Sequence, residues 1–180
     1  KPVLMHRLFL FVHIYGAIIN YYIIHVVRSK NMRVRGFEKV TEYANVDFLL
    51  PVRKTNYSAG YDFYLPEDVV LKAGKVNIVP TGIKAYMQDT EYLGVHLRSS
   101  IAMKNCLTMI NNQGIIDSDY YNNEENEGHI KLLVYNLNVQ DVTLNKGERV
   151  AQGIFYNFLL ADDDVESQKE TRSGGFGSTK

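Results

Sequence analysis

The chain has 180 residues, and its 20 Lys and Arg residues balance 20 Asp and Glu residues to a formal net charge of zero. This length allows one domain with a substantial core and excludes two large ones, and zero net charge gives no electrostatic reason to expect nucleic acid as a partner. A single cysteine, Cys106, excludes an intrachain disulfide and fits the reducing cytoplasm, while the five scattered histidines predict no protein-ligated zinc.

Residues 1–31 differ in character from the rest of the chain. Residues 8–27 contain no charged side chain, and an apolar helix of about 20 residues is long enough to cross a bilayer. The polar His13, Asn20 and His25 weaken that interpretation, and no small-residue cleavage motif follows, as a signal peptide would require. Three interpretations stay open: a membrane anchor, a packed N-terminal helix, or residues upstream of a true start at Met32, which we favour.

From Val34 onward, short apolar segments alternate with turn residues. Strands are predicted at residues 46–52, 76–79, 82–86, 92–97, 129–135, 139–144 and 150–156. Turn signals rich in Pro, Gly, Asn and Asp lie at residues 66–68, 72–74, 80–82 and 145–147. Many short strands at regular spacing predict an all-β domain over residues 32–160, built as a sandwich, jelly roll or barrel.

Two further elements complete the chain. The best helix candidate is residues 101–104, where a preceding serine can act as the N-cap. Residues 161–180 form an acidic linker and a glycine-rich arm, for which disorder is the simplest interpretation. However, the arm also combines an arginine, hydroxyls and backbone amides that can bind phosphate with an aromatic ring that can stack on a base.

The most distinctive stretch is residues 111–120, which read NNQGIIDSDY. Two isoleucines lead directly into Asp117, and Gly114 permits a turn or a close backbone approach. A carboxylate at the end of an apolar strand is a candidate general base, because partial burial of a carboxyl group raises its pKa toward the working pH. Asp119 would share the face of Asp117 if the strand continues. Read alone, the same residues are also typical of a hairpin entry.

Other polar residues have two interpretations each. Asp62 could hold metal-bound waters or close a turn, and Arg149 could pair with an interior carboxylate. Arg98 and the serines after it could cradle a phosphate at a helix start, or form a cap with a surface arginine. A serine-hydrolase arrangement of His96 with a serine lacks the G-x-S-x-G motif, so we expect His96 to be a strand residue and Cys106 a small buried apolar group.

Five motifs, taken together in their order and spacing, match the motif pattern of a known family. They are AGYD at residues 59–62, RSS at 98–100, the 111–120 segment, GERVAQ at 147–152 and RSGGFGST at 172–179. Over about residues 40–179 the chain resembles the homotrimeric dUTP pyrophosphatase (dUTPase) family, in its bacterial or phage-like form. The resemblance implies an all-β jelly-roll or distorted β-barrel subunit with one short helix and a flexible C-terminal tail. It also implies three subunits with shared active sites, hydrolysis of dUTP to dUMP and pyrophosphate, and Mg²⁺ as cofactor.

The same resemblance assigns roles to individual residues. Asp117 falls on the aspartate that activates the attacking water, and Asp62 on the aspartate near the water shell of the metal. The residues expected to bind substrate are Arg98, Ser99, Ser100 and Gln152 at the phosphates, Asn111 with the backbone around Gly114 and Ile116 at uracil, and Tyr120 under the deoxyribose. From the arm, Phe176 would stack over uracil, with Arg172, Gly177, Ser178 and Thr179 toward the phosphates.

Two alternative functions remain open. The sequence RSS at residues 98–100 also occurs in dCTP deaminases, which have the same fold. Their chemistry needs a glutamate general base after the third motif. The acids in residues 122–127, which lengthen that motif, are expected to be solvated instead. A second alternative is a regulatory protein on a dUTPase-like fold that uses these residues to contact a protein partner. No nucleic acid partner is expected, and a membrane partner only if the 1–31 extension belongs to the working protein.

Overall fold

The structure is a computed structural model, and it describes residues 33–164 together with 174 and 175. In this part of the chain the strands and helices lie in a compact unit that begins at Arg35. The strands are β1 (Gly36–Lys39), β2 (Tyr61–Tyr64), β3 (Val69–Leu71), β4 (Val76–Pro80), β5 (Ile83–Tyr86), β6 (Glu91–Leu97), β7 (Leu107–Met109), β8 (Gly114–Asp117), β9 (Lys131–Asn136), β10 (Val142–Leu144) and β11 (Arg149–Asn157). The helix α1 spans Ser99–Asn105, and 3-10 helices span Thr41–Tyr43 and Ser118–Tyr120.

The strands pair antiparallel in four sheets. The largest has the order β2-β11-β6-β8, the next β4-β9-β7, and the pairs β1-β5 and β10-β3 complete the set for the described residues. At nine residues, β11 is the longest strand described, and it pairs with β2 on one side and β6 on the other. Segments that are far apart in sequence are thereby brought side by side in the four-stranded sheet.

The core lies against one face of this sheet. Phe63, Leu93, Val95 and Ala151 are at most 1% exposed and belong to one apolar cluster with buried residues of the other sheets. Fully burying a side chain of the size of Leu or Val stabilises the fold by about 1.5–3 kcal/mol. Because strand side chains alternate, the residues between these core positions lie on the opposite face, which we call the outer face.

Glycines form three of the predicted turns. Gly74, Gly82 and Gly147 have φ angles of 63°, 69° and 80°, a region that residues with a side chain rarely adopt. At Gly82 a Cβ atom would also lie 2.9 Å from the ring of Tyr43. These turns separate strands that agree with six of the seven predicted segments, with shifted ends.

The strand predicted at residues 46–52 is wrong. Of these residues, Val52 forms an isolated bridge with Asp62, and the others lie outside strands. The ring of Phe48 packs edge-on against Tyr43, with 6.3 Å between the ring centroids. Phe48 thus packs on the 3-10 helix that contains Tyr43, while Leu49 and Leu50 are 60% and 40% exposed.

The predicted short helix is confirmed, but two details of it are wrong. Arg98, not a serine, is the N-cap of α1, and no side-chain hydrogen bond caps the helix. Ser99 and Ser100 are the first helical residues instead. Cys106, expected to be buried, is exposed because it lies beyond the last turn as the C-cap, with a left-handed φ of 47°.

The 1–31 extension stays a prediction. Residues 8–27, on which its membrane interpretation depends, lie outside the described residues. Within residues 33–164 and 174–175, no helix is both long and apolar enough to cross a bilayer.

Candidate active site

The carboxylate of Asp62, on β2, is the centre of a buried polar cluster. Asp62 is 2% exposed, and its Oδ2 atom accepts a hydrogen bond of 2.8 Å from Nη1 of Arg149. Its Oδ1 atom lies 3.1 Å from Nε of Arg98 and accepts a 3.0 Å hydrogen bond from Nε2 of Gln152. Two guanidinium groups and an amide therefore compensate the charge that burial disfavours. We call these four residues the Asp62 cluster.

Strand register explains why the cluster forms. Asp62 lies opposite Gln152, and Gln152 lies opposite His96, so the three residues form one row across β2, β11 and β6. The row lies on the outer face, because its sequence neighbours Phe63 and Ala151 are in the core. His96 is a strand residue, as predicted, and its Nε2 atom lies 2.9 Å from Nε2 of Gln113.

The start of α1 is joined to the same cluster. Arg98 continues directly from β6, and its N–H donates to the carbonyl of Val150 at 3.0 Å, while its Nη1 donates to the carbonyl of Arg149 at 3.3 Å. Ser99 is exposed and Ser100 is half-buried. A guanidinium followed by two hydroxyls is a suitable donor set for phosphate oxygens.

Asp117 is the last residue of β8 and is half-buried. Ile116 packs against the core, while Ile115 is 62% exposed, so alternation puts Asp117 on the outer face. Asp117 lies opposite Tyr92 of β6, whose ring stacks on Tyr156 with 5.2 Å between centroids. The strand does not continue past Asp117, so the condition under which Asp119 would share its face is not met.

Asp117 and the Asp62 cluster are far apart within one chain. Asp117 is the partner of Tyr92 on β6, and Arg98 follows Tyr92 by six positions, directly after the end of that strand. At 3.4 Å per residue, Arg98 and Asp117 are separated by about 20 Å along the sheet. A single chain therefore does not bring the two predicted parts of the site together.

The residues predicted to read uracil lie around the start of β8. Asn111 is exposed in the connection between β7 and β8, where Asn112 adopts a φ of 58°. Gly114 opens β8 opposite Val95. Since the side chain of Ile116 packs inward, its backbone is the part of that residue that can meet a ligand.

Tyr120 is tied to residues 122–127, which we call the insert. Its hydroxyl donates to the carbonyl of His129 at 3.0 Å and accepts from Nδ2 of Asn126 at 3.1 Å. Asn123 is 8% exposed, and its Nδ2 donates to the carbonyl of Tyr120 at 2.8 Å. The insert is thus a hydrogen-bonded loop that supports Tyr120.

Only part of the predicted C-terminal arm is described. Gly174 and Gly175 are both buried. The arm residues predicted to bind substrate lie outside the described residues, and their roles stay predictions: Arg172, Phe176, Gly177, Ser178 and Thr179.

Comparison with known proteins identifies the family. A family model described as dUTPase matches residues 47–180. The chain belongs to the dUTPase family. A deoxyuridine 5'-triphosphate nucleotidohydrolase of Lactococcus lactis subsp. lactis (strain IL1403) is 49% identical over 148 residues, which cover 82% of this chain and 99% of the relative.

Solved dUTPase structures have the same fold. The crystal structure of a dUTPase from Streptococcus mutans matches with a TM-score of 0.67 and 50% identity, covering 71% of this chain and 98% of that one. A mutant dUTPase from phage phi11 of S. aureus, described with a structural Mg(II) ion, matches with a TM-score of 0.57 and 17% identity, covering 74% and 97%. The second likeness concerns the fold alone. The predicted jelly-roll fold is confirmed.

For a dUTPase, the acids of the insert need no catalytic role. Glu124 and Glu125 are exposed, and Glu127 accepts hydrogen bonds from the N–H and hydroxyl of Thr41 at 3.2 and 2.9 Å. Those bonds lower the pKa of the Glu127 carboxyl group. A deaminase base would need the opposite environment, an acid buried in a pocket with a raised pKa.

Proposed function

We propose that this chain hydrolyses dUTP to dUMP and pyrophosphate as a homotrimer whose active sites are shared between subunits. Its membership of the dUTPase family supports the reaction, as does 49% identity to a relative named deoxyuridine 5'-triphosphate nucleotidohydrolase. The exposed thiol of Cys106 is compatible with a reducing compartment, and we propose that the enzyme works in the cytoplasm.

The distance between Asp117 and Arg98 is the main observation that supports an active site shared between subunits. The water that Asp117 would activate must lie within about 3–3.5 Å of the phosphorus it attacks. Arg98 must contact the same triphosphate, although about 20 Å of sheet separates it from Asp117 in one chain. A neighbouring copy can supply the missing half to each site, and cyclic symmetry repeats that arrangement around a closed ring.

Exposed apolar residues also support the trimer. Directly after β11, Phe158, Leu159 and Leu160 are 42%, 97% and 60% exposed. A run of consecutive exposed apolar side chains is unfavourable in water and is typical of an interface. We propose that such residues are buried between subunits.

The phosphate-binding part of the site would come from one subunit. Arg98, Ser99, Ser100 and Gln152 would donate hydrogen bonds to the triphosphate, since all four lie in or next to the Asp62 cluster. Asp62 would hold Arg98 and Gln152 in position for that task. Positioning and charge stabilisation supply most of the catalysis in phosphoryl transfer, so a rigid cluster of donors is well suited to it.

The nucleoside would be recognised by a second subunit. Asn111 and the backbone around Gly114 and Ile116 would hydrogen-bond the uracil edge, and a snug fit would exclude the methyl group of thymine. The ring of Tyr120 would lie under the deoxyribose and leave no room for a 2′-hydroxyl. Arg172, Phe176, Gly177, Ser178 and Thr179 of the arm would then close over the bound nucleotide.

Asp117 would act as the general base. Its carboxylate would accept a proton from water while the water oxygen bonds to the α-phosphorus and the bond to the bridging oxygen breaks. Pyrophosphate leaves with the electron pair of that bond. The half-buried end of β8 supports this role, because a fixed strand end holds the carboxylate in one orientation.

Magnesium would arrive with the triphosphate. Within the described residues, no group of three His, Cys, Asp or Glu side chains could hold a metal ion, but Mg²⁺ commonly binds substrate phosphates and only one or two carboxylates. Asp62 fits a contact through water better than direct ligation, because it is 2% exposed and Arg149 already binds its Oδ2 atom. When bound, the ion would neutralise charge on the triphosphate and so improve pyrophosphate as a leaving group.

Pyrophosphate release from a panel of deoxynucleoside triphosphates, with and without Mg²⁺, tests the reaction. We expect release from dUTP, strongly enhanced by Mg²⁺, and little from dTTP or dCTP. Ammonia release from dCTP would favour the deaminase alternative instead. No turnover of dUTP by the purified trimer would refute the proposal.

A further inference from the structure

The insert binds Tyr120 at both ends of the residue. The hydroxyl of Tyr120 accepts a hydrogen bond of 3.1 Å from Nδ2 of Asn126 and donates one of 3.0 Å to the carbonyl of His129. At the other end, the backbone carbonyl of Tyr120 accepts a 2.8 Å hydrogen bond from Nδ2 of Asn123. A ring that is fixed at its backbone and at its hydroxyl has little freedom to shift relative to the insert.

The side chain of Asn126 is itself fixed by two further hydrogen bonds. Its Oδ1 atom accepts Nδ2 of Asn123 and the N–H of Gly128, each at 3.0 Å. Because these two donors fix which amide atom is the oxygen, the other atom is the nitrogen that faces the hydroxyl of Tyr120. Gly128 has a φ angle of 81°, and a Cβ atom there would lie 2.5 Å from the carbonyl oxygen of Tyr120. Glycine therefore allows the insert to return close enough to Tyr120 for this contact.

The insert is also attached to the body of the domain. Oε2 of Glu127 accepts hydrogen bonds from the hydroxyl of Thr41 at 2.9 Å and from Nζ of Lys84 at 3.3 Å. The same Nζ atom donates to Oδ1 of Asn122 at 2.6 Å. Thr41 begins a 3-10 helix and Lys84 lies in β5. The insert therefore cannot move without breaking contacts to two separate elements, and it can serve as a fixed support for Tyr120.

We propose that Asn126 is a positioning residue that sets the preference for deoxyribose over ribose, because it holds the ring of Tyr120 against the sugar. The placement of the sugar on that ring rests on the proposed function. An added 2′-hydroxyl is rejected only where the surrounding side chains cannot relax to accommodate it. A supporting shell that is loose by about 1 Å loses such discrimination. The insert thus contributes to recognition of the substrate through Tyr120 and not through its own acids.

Calorimetric titration of the full chain with dUDP and with UDP tests the proposal. At about pH 7.5 the ionised carboxylate of Asn126→Asp still accepts hydrogen bonds from Asn123 and Gly128, but it offers no N–H to the hydroxyl of Tyr120. We expect the ratio of Kd for UDP to Kd for dUDP to fall about tenfold, because the ring loses one of its hydrogen bonds and can yield to the 2′-hydroxyl. A substitution that only weakened the insert would lower both affinities together and leave this ratio unchanged.

Two further variants separate the hydrogen bond from the added charge. Asn122→Asp places the same charge in the same insert, at an exposed residue that contacts Lys84, and should keep the wild-type ratio. In a Tyr120→Phe background no hydroxyl is present, so Asn126→Asp should change the ratio much less than it does in the wild type. Asn126→Ala removes the donor without adding a charge and should shift the ratio in the same direction as Asn126→Asp. Equal effects of Asn126→Asp in both backgrounds, or equal ratios for Asn126→Asp and Asn122→Asp, would overturn the proposal.

Pyrophosphate release from dUTP, measured on the same proteins, separates this inference from the proposed function. If the wild type turns over dUTP but its ratio of Kd values equals that of Asn126→Asp, the positioning role is refuted while the proposed function stands. If the wild type has no turnover of dUTP but the ratio falls in Asn126→Asp and not in Asn122→Asp, the positioning role stands and the proposed function is refuted. A wild-type ratio near one would also refute the positioning role, because there would be no preference for Asn126 to set.

Discussion

Asp117 carries the proposed chemistry, and its substitution should separate binding from turnover. The change Asp117→Asn keeps the shape of the side chain at the end of β8 but removes the proton acceptor. We expect turnover of dUTP to fall by about 10²–10⁴-fold, the usual contribution of a general base. Pyrophosphate release measures turnover, and calorimetric titration with a non-hydrolysable dUTP analogue should give nearly the wild-type Kd.

Asp119 offers a matched control for that prediction. It lies two residues further along, in the 3-10 helix, and is exposed. Asp119→Asn removes the same charge from the same region and should leave turnover within about twofold, as surface substitutions usually do. If Asp117→Asn retained wild-type turnover, or if both variants lost it equally, Asp117 would not be the base.

Substitution of Asp62 should mainly lower the stability of the fold and the affinity for the phosphates of the substrate. Asp62→Asn would leave the guanidinium groups of Arg98 and Arg149 without their shared counter-ion. Breaking a fully buried ion pair lowers the free energy of unfolding by about 3–5 kcal/mol. The side chains of Arg98 and Arg149 are 20% and 36% exposed, so solvent partly compensates them. We therefore expect a loss of about 2 kcal/mol. Urea unfolding measures the loss, and KM for dUTP should rise.

Arg149→Met provides the matching half of a double-mutant cycle. In the Arg149→Met background the guanidinium of Arg149 is already absent, so Asp62→Asn leaves only Arg98 without its counter-ion. The substitution should therefore lower the free energy of unfolding by less than it does in the wild type. Additive effects of the two substitutions on the free energy of unfolding would show that the 2.8 Å contact between Asp62 and Arg149 contributes no coupling.

The sequence predicted the partners of this cluster only in part. Arg149 was expected to pair with some interior carboxylate, but its spacing alone could not choose Asp62. That choice depends on the register of β2, β11 and β6, which sets Asp62, Gln152 and His96 in one row. Register is decided by long-range packing of the two faces, so local sequence signals could not supply it.

Among the elements, turn chemistry was the most dependable predictor. Positive φ angles at Gly74, Gly82 and Gly147 correspond to turns that local sequence marks clearly. Strands of three or four residues, such as β3 and β7, are too short to show a period. Residues 46–52 have an apolar pattern but do not form a strand, because Phe48 packs on Tyr43 and the following leucines have no strand partner and are exposed.

His129 lies two residues before β9 and hydrogen-bonds the residue before β5, and it should make stability depend on pH. Its Nε2 atom accepts the N–H of Gly82 at 2.9 Å, and it is 5% exposed. Burial, with the nearby charge of Lys131, lowers the pKa of His129 from 6.5 to about 4, although Glu127 and Glu67 oppose the shift. The folded chain therefore binds fewer protons than the unfolded chain between these two values.

Because the unfolded chain binds more protons in this range, stability falls as the pH falls. Stability from neutral His129 is fully present above pH 6.5 and is lost as the pH falls toward about 4. At about 1.4 kcal/mol per pKa unit, the loss is about 3 kcal/mol at most. His129→Gln keeps an acceptor for Gly82 and does not titrate. Urea unfolding from pH 7.5 to 4 should therefore give a flatter profile for this variant than for the wild type. An unchanged slope in His129→Gln would contradict this account.

At the scale of the whole molecule, the proposed sharing of the site between subunits makes a prediction that a site built by one chain could not satisfy. Asp117→Asn and Arg98→Met subunits should each form inactive trimers, for lack of a base and of a phosphate ligand. In mixed trimers, some sites combine intact Asp117 from one subunit with intact Arg98 from its neighbour. Random mixing in a closed ring should restore roughly a quarter of the wild-type sites.

Co-refolding the two variants at equal concentrations, followed by assay of pyrophosphate release, measures that recovery. Each variant refolded alone is the control, and the oligomeric state is checked by light scattering. Recovery should follow a binomial dependence on the mixing ratio and vanish at both ends, because an active site needs one subunit of each kind. Activity that stayed at the level of the separate variants at every ratio would mean that Asp117 and Arg98 serve the same chain. The distance of about 20 Å along the sheet would then have to be closed by a rearrangement within one subunit.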